Sequence, residues 1–386
     1  MRAGEVINSY HVVTAPTNSG GGMCMWAFAI KNRREYFLKE FLQPKWPAPD
    51  SMGSPAGKER RRTNCYEFER RHKEIMHRLA DAITTPGGGN LVTAVDFFRA
   101  DTTYYKVTEK VVTASLSSLR ALSVHERAVI FRTLVLSLQM LHQQEIVHGD
   151  LKPSNVLIQR GVAGLHTAKL IDFDDSYLSG RPPPQDQIVG DSIYGAPEWF
   201  GYTKKDSTMP ASALTRAADI FALGLLFHHY LTDSLPGRAS ARYWAPGQAV
   251  IAGEQLLIDG RLSPGLTALL KRMTVPQPGD RPSVEEIFGE LEADDLLTVR
   301  GPTRTGRLRI NMGRPASPAP DGELGEEPDV EPDEELGEEP DVEPGVEPDE
   351  ELGEEPGERG GTGASPSRVR INIRNKDEGA TDDSDR

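Results

Sequence analysis

Cysteine is almost absent from this sequence, since only Cys24 and Cys65 occur among its 386 residues. Two isolated cysteines lack the paired spacing of a zinc site, and they cannot form the several cross-links of a disulfide-rich secreted domain. The scarcity therefore excludes a cysteine-based metal site and a disulfide scaffold. It predicts a protein of the reducing cytoplasm.

Long apolar runs are also missing. The strongest candidate, residues 220–231, contains two histidines and is shorter than the roughly 20 apolar residues that a membrane-spanning helix needs. The N-terminus has no apolar core of the kind found in signal peptides. We therefore expect no membrane partner and a cytoplasmic location.

Basic residues are missing from one long acidic stretch. Residues 321–358 contain 20 acidic residues and no lysine or arginine, and a segment beginning Glu-Leu-Gly-Glu-Glu-Pro recurs within them. Such a self-repelling segment, broken by proline and glycine, cannot bury enough apolar surface to fold. We predict a disordered acidic tail over residues 301–386 with an extended spacer at its centre, and we favour solvated disorder over metal binding by the acid run.

The net charge of the chain belongs to this tail. Residues 301–386 contain 25 acidic and 10 basic residues, so they account for the overall charge of −14 and leave the rest of the chain nearly neutral. The overall charge therefore says little about what the rest of the chain binds. Among partners, we expect no nucleic acid.

Two similar short motifs flank the acidic spacer. Residues 307–312, around Ile310, and residues 368–373, around Ile371, alternate basic and apolar side chains with the period of a β-strand. Such peptides could dock on a partner by adding a strand to the edge of its sheet. Duplicated low-complexity sequence, or a basic clasp on the spacer, explains the motifs equally well, and both interpretations stay open.

The most informative stretch is residues 148–155, which read His-Gly-Asp-Leu-Lys-Pro-Ser-Asn. Phosphoryl transfer needs a carboxylate to position the incoming hydroxyl, a cation for the phosphate oxygens, and a side-chain oxygen that holds a metal ion. Asp150, Lys152 and Asn155 supply these three groups within one short loop. The stretch therefore predicts a phosphotransferase active site, and it resembles the catalytic loop of eukaryotic-like protein kinases.

Further motifs of that family follow at matching distances. Residues 169–174 read Lys-Leu-Ile-Asp-Phe-Asp, and the resemblance assigns Asp172 to metal binding. It also implies that Asp219, at the start of a buried helix, holds the backbone of the catalytic loop. Glu198, in an Ala-Pro-Glu motif, should form a buried structural pair with Arg281.

The upstream motifs match less closely. Residues 35–41 have the aromatic and apolar bias of a strand, and Lys39 within them resembles the lysine that contacts the α- and β-phosphates. A glutamate on the following helix, predicted over residues 66–79, should pair with this lysine. Glu69 is our choice over the two other glutamates of that helix, Glu67 and Glu74.

The glycine loop departs most from the family pattern. Residues 17–22 read Thr-Asn-Ser-Gly-Gly-Gly, without the Gly-x-Gly-x-x-Gly spacing, and we assign Gly20 and Gly22 to the phosphates. A flexible hairpin turn is the alternative. By resemblance, residues 104–111 form a strand that leads into the hinge, where the backbone of Glu109 and Val111 faces adenine.

Three departures bear on mechanism. Gly149 replaces the arginine that many of these kinases use to grip an activation-loop phosphate, so we expect activity without such phosphorylation. Asp174 replaces a glycine, and aspartate either tolerates the same left-handed backbone or adds a carboxylate near magnesium. Asp191 stands where a Ser/Thr kinase usually has threonine.

Two alternatives use the same residues. Aminoglycoside and choline phosphotransferases share the catalytic motifs. They lack, however, a lysine equivalent to Lys152 and an Ala-Pro-Glu motif like the one at residues 196–198. A pseudokinase scaffold would explain the degenerate glycine loop, although the four catalytic positions Lys39, Asp150, Asn155 and Asp172 are all occupied.

The resemblance implies an α+β, two-lobed fold with a small β-rich N-lobe, about residues 10–111, and a larger helical C-lobe, about residues 112–296. The predicted function is transfer of the γ-phosphoryl group of ATP, with Mg²⁺, to a serine or threonine of a protein substrate. The prominence of arginine, alanine, glycine and proline suggests a bacterial signalling regulator.

Overall fold

A computed structural model describes residues 1–300 except residues 20–21, 49, 85–87, 115–117, 162–163, 205–207 and 294. All of the described residues belong to one compact unit, Met1–Arg309. The acidic repeats and the two motifs around Ile310 and Ile371 lie outside the described residues. The predictions made for the tail therefore stay predictions.

The N-terminal lobe is one antiparallel sheet with a long helix inserted in its sequence. The elements are β1 (Val6–Ile7), β2 (Tyr10–Val12), β3 (Cys24–Lys31), β4 (Arg34–Phe41), α1 (Pro55–Ile83), β5 (Ala94–Ala100) and β6 (Thr103–Glu109). The six strands hydrogen-bond in the order β1-β2-β3-β4-β6-β5.

Strand alternation divides this sheet into two faces. One face packs Leu38 and Val107 into a small core with Tyr10. The opposite face carries Phe41 and Tyr104, which pack with Cys65 of α1. Lys39 and Lys106 are register partners on β4 and β6, so alternation places both lysines on the face that α1 covers.

Helix α1 is longer than the predicted 66–79. The helix begins at Pro55, where the Ser54 side chain accepts a hydrogen bond from the Gly57 backbone N–H and proline occupies the first turn. Its buried residues lie at helical spacing along one side: Cys65, His72, Ile75, Leu79 and Ala82. Cys65 on this side packs with the sheet, whereas Ile75, Leu79 and Ala82 pack into the main core of the C-terminal lobe.

The C-terminal lobe is mainly helical. Its elements are α2 (Val124–Gln143), β7 (Ile146–Val147), β8 (Val156–Arg160), β9 (His166–Leu170), β10 (Tyr177–Leu178), α3 (Pro197–Thr203), α4 (Ala217–Thr232), α5 (Pro246–Ile251), α6 (Pro264–Met273) and α7 (Val284–Glu290). The pairs β7–β10 and β8–β9 are two short antiparallel ribbons. The α+β architecture of two lobes confirms the predicted fold class.

Helix α4 is almost entirely buried and has Asp219 in its first turn, as the resemblance predicted. Phe227 of α4 packs against Phe131 of α2, with ring centroids 4.3 Å apart. Asp219 at its first turn and His228 near its end are both 2% exposed. Within the described part of the chain, no helix is both long and apolar enough to cross a bilayer.

Candidate active site

Asp219 holds the loop that follows β7. Its carboxylate accepts hydrogen bonds from the backbone N–H groups of His148 and Gly149, at 2.8 and 3.1 Å. The ring of His142 lies 3.0 Å from the same carboxylate. The sequence-based role of Asp219 is therefore confirmed by geometry, because a buried carboxylate fixes the backbone just before Asp150.

The three predicted catalytic-loop residues meet at the carboxylate of Asp150. The amide of Asn155 donates hydrogen bonds to Asp150 Oδ2 and to the Asp150 backbone carbonyl, at 2.8 and 2.7 Å. Lys152 Nζ lies 2.8 Å from Asp150 Oδ2. Asp150 is only 7% exposed, so these bonds hold its carboxylate in a defined orientation.

Lys152 also reaches toward the segment after the catalytic loop. Its Nζ lies 3.6 Å from Asp191 Oδ2, while Asp191 Oδ1 accepts hydrogen bonds from the backbone N–H groups of Ile193 and Tyr194. Burial acts to lower the pKa of Lys152, but the charges of Asp150 and Asp191 outweigh burial and raise it. Lys152 therefore stays protonated, as a cation for phosphate oxygens must.

Gly149 is required by its surroundings. It has φ of +79°, and a Cβ added to it would lie 2.7 Å from the backbone carbonyl oxygen of Asp175. A side chain is therefore excluded both by backbone conformation and by contact. This explains why the arginine of related kinases is missing.

Asp172 and Lys39 come together although 133 positions separate them. Lys39 Nζ donates to both carboxylate oxygens of Asp172, at 2.8 and 2.9 Å. Asp172 has φ of +63°, which turns the chain directly after β9 and aims the carboxylate toward the sheet. The predicted phosphate-binding lysine and the predicted metal-binding aspartate thus form an ion pair.

Asp174 joins the same cluster. Its Oδ2 lies 2.6 Å from Lys39 Nζ, and its Oδ1 accepts a hydrogen bond from Lys106 Nζ at 2.5 Å. Burial acts to raise the pKa of the Asp174 carboxyl, but the Lys106 and Lys39 ammonium groups outweigh burial and hold that pKa well below its usual value. Asp174 is therefore a buried anion shared by two lysines.

The glutamate proposed as partner of Lys39 is corrected by these contacts. Glu69 pairs with Lys73 at 2.5 Å and accepts from the Tyr104 hydroxyl at 3.5 Å. Helix α1 turns His72, not Glu69, toward the cluster, and His72 Nε2 lies 3.8 Å from Asp174 Oδ1. Glu69 was misplaced because the sequence does not reveal how α1 is rotated about its axis.

The cluster lies in a cleft of about 960 Å³ between the lobes. Of the predicted site residues, five line it together: Gly22, Lys39, Asp150, Lys152 and Asp172. Gly22 has φ of +55°, which only glycine adopts freely, and Gly20 lies outside the described residues. Gly22 thus lines the same cleft as Asp150 of the catalytic loop.

The predicted hinge lies at the end of β6. Glu109 is the last residue of that strand and pairs in register with Tyr36, and Val111 follows two residues later. Neither residue lines the cleft that holds Lys39 and Asp150. Their contact with adenine remains a prediction.

The predicted structural pair is confirmed. Arg281 donates to both carboxylate oxygens of Glu198, at 2.7 and 2.8 Å, and the two side chains are 0% and 2% exposed. Arg281 also donates to the Ala217 carbonyl at the start of α4. The pair therefore ties α3 to α4 and to the segment before α7.

Lys106 and His72 are site residues that sequence reasoning missed. A lysine inside a strand whose neighbours Tyr105 and Val107 are apolar is unusual, and this was a signal for Lys106. The helical spacing of His72 with Ile75 and Leu79 was the corresponding signal for His72. Neither signal names the partner, because the partner comes from a distant segment.

Comparisons with known proteins agree with this geometry. The family model described as "Protein kinase domain" matches residues 66–290, which is more than half of the chain. The chain is 31% identical over 213 residues to the serine/threonine-protein kinase ssp1 of Schizosaccharomyces pombe, covering 51% of this chain and 31% of that protein.

Two other protein kinases also match about half of this chain. The serine/threonine-protein kinase PSK2 of Saccharomyces cerevisiae is 29% identical over 211 residues, covering 52% of this chain and 17% of that protein. The serine/threonine-protein kinase PknD of Chlamydia pneumoniae is 29% identical over 207 residues, covering 47% and 21%. The chain thus spans less than a third of the length of these relatives. With the two-lobed fold and the matched domain, the chain belongs to the protein kinase family.

Proposed function

We propose that this chain is an ATP-dependent serine/threonine protein kinase. The observation that carries the proposal is the orientation of Asp150, whose carboxylate is held by Asn155 and Lys152 in the same cleft as the Lys39–Asp172 pair. A positioned carboxylate beside fixed cations is what phosphoryl transfer to a hydroxyl requires. The names of the relatives agree with this chemistry.

The residues present fit a magnesium ion. Asp172 offers carboxylate oxygens, and Asn155 donates through its amide nitrogen to Asp150, which leaves its carbonyl oxygen for a metal. Burial and the neighbouring Asp150, Asp174 and Asp172 raise the pKa of Asp175 to about 7, so a cation bound beside these carboxylates would favour its charged form. A bound Mg²⁺ would supply charge neutralisation for the phosphates.

Each side chain then has one task in the reaction. Asp150 accepts a hydrogen bond from the substrate hydroxyl and orients it, with its own position fixed by Asn155. Lys152 neutralises charge that develops on the transferred group, while Lys39 orients the α- and β-phosphates of the substrate ATP. Asp172 and Asn155 are the side chains that would hold the metal.

A protein substrate is favoured over a small molecule. Lys152 contacts Asp191 in the segment that leads to the Ala-Pro-Glu motif, and Glu198 of that motif is anchored by Arg281. These contacts order a surface next to Asp150 on which an extended peptide can lie. Small-molecule transfer and a non-catalytic scaffold are the alternatives that an experiment must separate.

The test is incubation of the purified chain with labelled ATP, a protein mixture, and a panel of small alcohols and amines. Label on serine and threonine of proteins, lost in Asp150→Asn, supports the proposal. Label on a small molecule would favour the phosphotransferase alternative. Absence of transfer with intact ATP binding would favour the scaffold.

We also propose the setting of this domain. Residue usage supports a bacterial signalling regulator that acts in the cytoplasm, with a kinase domain over about residues 10–296 and a tail over residues 301–386. The motifs around Ile310 and Ile371 would dock a partner, with the acidic spacer between them supplying reach. Replacing both isoleucines with aspartate, and then measuring binding of the tail to a candidate partner, tests the docking role.

A further inference from the structure

Two buried lysines face each other across neighbouring strands. Lys39 on β4 and Lys106 on β6 are direct register partners, and they are 9% and 6% exposed. Like charges directly opposite each other in an antiparallel pair are destabilising, and buried charges need a counter-ion. The sheet therefore requires an anion at this position.

The anion comes from the segment after Asp172. Asp174 places one carboxylate oxygen 2.6 Å from Lys39 Nζ and the other 2.5 Å from Lys106 Nζ. Lys39 directs its hydrogen bonds to Asp172, whereas Asp174 Oδ2 meets Lys39 as an ion pair without hydrogen-bond geometry. Lys39 thus contacts the two carboxylates in different ways, and Asp174 is the one that it shares with Lys106.

No acidic side chain of helix α1 forms an ion pair with Lys39, which pairs with Asp172 and Asp174. Glu67 and Glu74 line the same cleft as Lys39. Three glutamates of the helix pair with cations of the helix itself: Glu59 with Arg62, Glu69 with Lys73, and Glu74 with Arg78. The helix residue beside the cluster is His72, whose ring stacks on Phe97 and packs against Phe68. A histidine buried among aromatic rings cannot replace a carboxylate as a counter-ion.

Building on the proposed function, we propose that Asp174 is a positioning residue that aims Lys39 at the phosphates, in the role that a helix glutamate fills in related kinases. The lysine is then set by the segment that carries Asp172 and by Lys106, rather than by helix α1. A shift of α1 would leave Lys39 in place. The arrangement explains why aspartate stands where the family pattern has glycine.

The first test is Asp174→Asn in the full chain, which keeps the size of the side chain and removes its charge. We expect kcat to fall roughly 100-fold, because misplacing a group that orients the substrate has that effect. The Kd of ATP should change by no more than about threefold, because the variant removes an anion and not a phosphate contact. Partial unfolding would instead lower the rate and the number of ATP-binding sites together.

The second test moves the carboxylate from the segment to the helix. Asp174→Gly alone should lose activity as Asp174→Asn does, and His72→Glu alone should lower activity by placing two buried carboxylates side by side. In the double variant Asp174→Gly with His72→Glu, the helix supplies the carboxylate that the segment has lost. Its kcat should therefore be at least about tenfold higher than that of Asp174→Gly, because substitutions at neighbouring sites are not additive. The control is Asp259→Asn, which removes the carboxylate charge of the Asp259–Arg261 pair.

The third test reads the position of Lys39 without a transfer reaction. An acyl-phosphate derivative of ATP passes its acyl group to a lysine amine beside the phosphates and releases ATP, and mass spectrometry locates the label. The reagent acylates the amine only after it has lost its proton, and loss of the Asp174 charge favours that form, so the charge effect alone would raise the label. A fall of about tenfold in the label on Lys39 in Asp174→Asn would therefore report loss of orientation. Labelling in Glu69→Gln should match that of wild type.

Each outcome decides between the interpretations. Wild-type kcat and labelling in Asp174→Asn, or a double variant no better than Asp174→Gly, would overturn the positioning role. If kcat and the label on Lys39 fall in Glu69→Gln instead, the helix glutamate has the positioning role. A wild type that phosphorylates nothing, yet labels at Lys39 in an Asp174-dependent manner, would overturn the proposed function and leave the positioning role standing.

Discussion

The guanidinium of Arg281 is fully buried against the carboxylate of Glu198, with two hydrogen bonds of 2.7 and 2.8 Å. The pair joins segments 83 positions apart and shares its arginine with the carbonyl of Ala217. Neither charge has access to water, so each depends on the other for its compensation. The pair is therefore a structural link of the C-terminal lobe.

Breaking this pair should destabilise the lobe. We expect Glu198→Gln to lower the free energy of unfolding by about 3–5 kcal/mol, because it leaves a buried guanidinium without its counter-ion. Urea denaturation measures the change. The matched control is Glu290→Gln, which breaks the largely exposed ion pair with Arg272 and should cost no more than about 1 kcal/mol. Equal costs for the two variants would contradict the structural role.

The carboxylates of the cleft should matter for rate more than for folding. Asp150→Asn and Asp172→Ala should each lower phosphoryl transfer by roughly 10²–10³-fold, because positioned charges supply most of the catalysis in this reaction. Circular dichroism and the melting temperature should show that both variants fold. Unchanged turnover in either variant would refute the assignment of the active site.

Activity should not depend on a phosphate in the activation segment. Gly149 stands before Asp150, and no side chain fits there because Asp175 carbonyl oxygen lies 2.7 Å from the place of a Cβ. The arginine that would grip such a phosphate is therefore missing. Protein treated with phosphatase should phosphorylate a substrate without a lag. A lag that disappears after autophosphorylation at Ser192 would show that another cation grips the phosphate.

The same glycine offers a stability test. Gly149 and Gly164 share φ of +79°, but among the described residues the atom nearest to a Cβ at Gly164 is a guanidinium nitrogen of Arg160, 4.0 Å away. Gly164→Ala should cost about 1 kcal/mol for the left-handed backbone alone. Gly149→Ala should cost more, because the contact with Asp175 is added. Equal losses in thermal unfolding would show that the segment moves aside.

The sequence predicted the parts of the site that lie on short motifs. Asp150, Asn155 and Asp172 occur in stretches whose residue types predict their roles, and the structure places Asn155 on Asp150 and Lys39 on Asp172. The partner of Lys39 could not be predicted, because it depends on the register of β4 with β6 and on the rotation of α1. Both are decided by packing between segments that are far apart in sequence.

Burial of His72 should make the protein sensitive to acid. Burial lowers its pKa to about 3; Lys106 and Arg71 also lower that pKa, and Asp174 opposes them. The unfolded chain takes up a proton on this histidine near pH 6.5, whereas the folded chain does not, so stability falls as the pH drops through 6.5. The loss should approach about 1.4 kcal/mol per pH unit between pH 6 and pH 4.

His72→Phe isolates this contribution, because phenylalanine keeps an aromatic ring among Phe68 and Phe97 and cannot titrate. Urea denaturation of both proteins from pH 8 to pH 4 measures the difference in unfolding free energy. That difference should be constant above pH 7 and should shift in favour of the variant below pH 6. A difference independent of pH would mean that folding does not lower the pKa of His72.

The end of the described fold predicts where the chain can be cut. Val299 bridges to Leu262, and the Arg300 backbone N–H donates to the Arg261 carbonyl at 2.8 Å. Leu297 is 2% exposed.

A chain ending at residue 300 should keep the stability of the full chain and its activity toward a generic peptide, because the residues beyond it contain none of the catalytic groups. A chain ending at residue 296 loses a buried leucine and this bridge, and it should be destabilised by about 2–5 kcal/mol. Thermal unfolding and peptide phosphorylation are measured for both truncated proteins. Loss of activity in the chain that ends at residue 300 would show that the tail takes part in catalysis. Equal stability of the two truncated chains would show that residues 297–300 are dispensable.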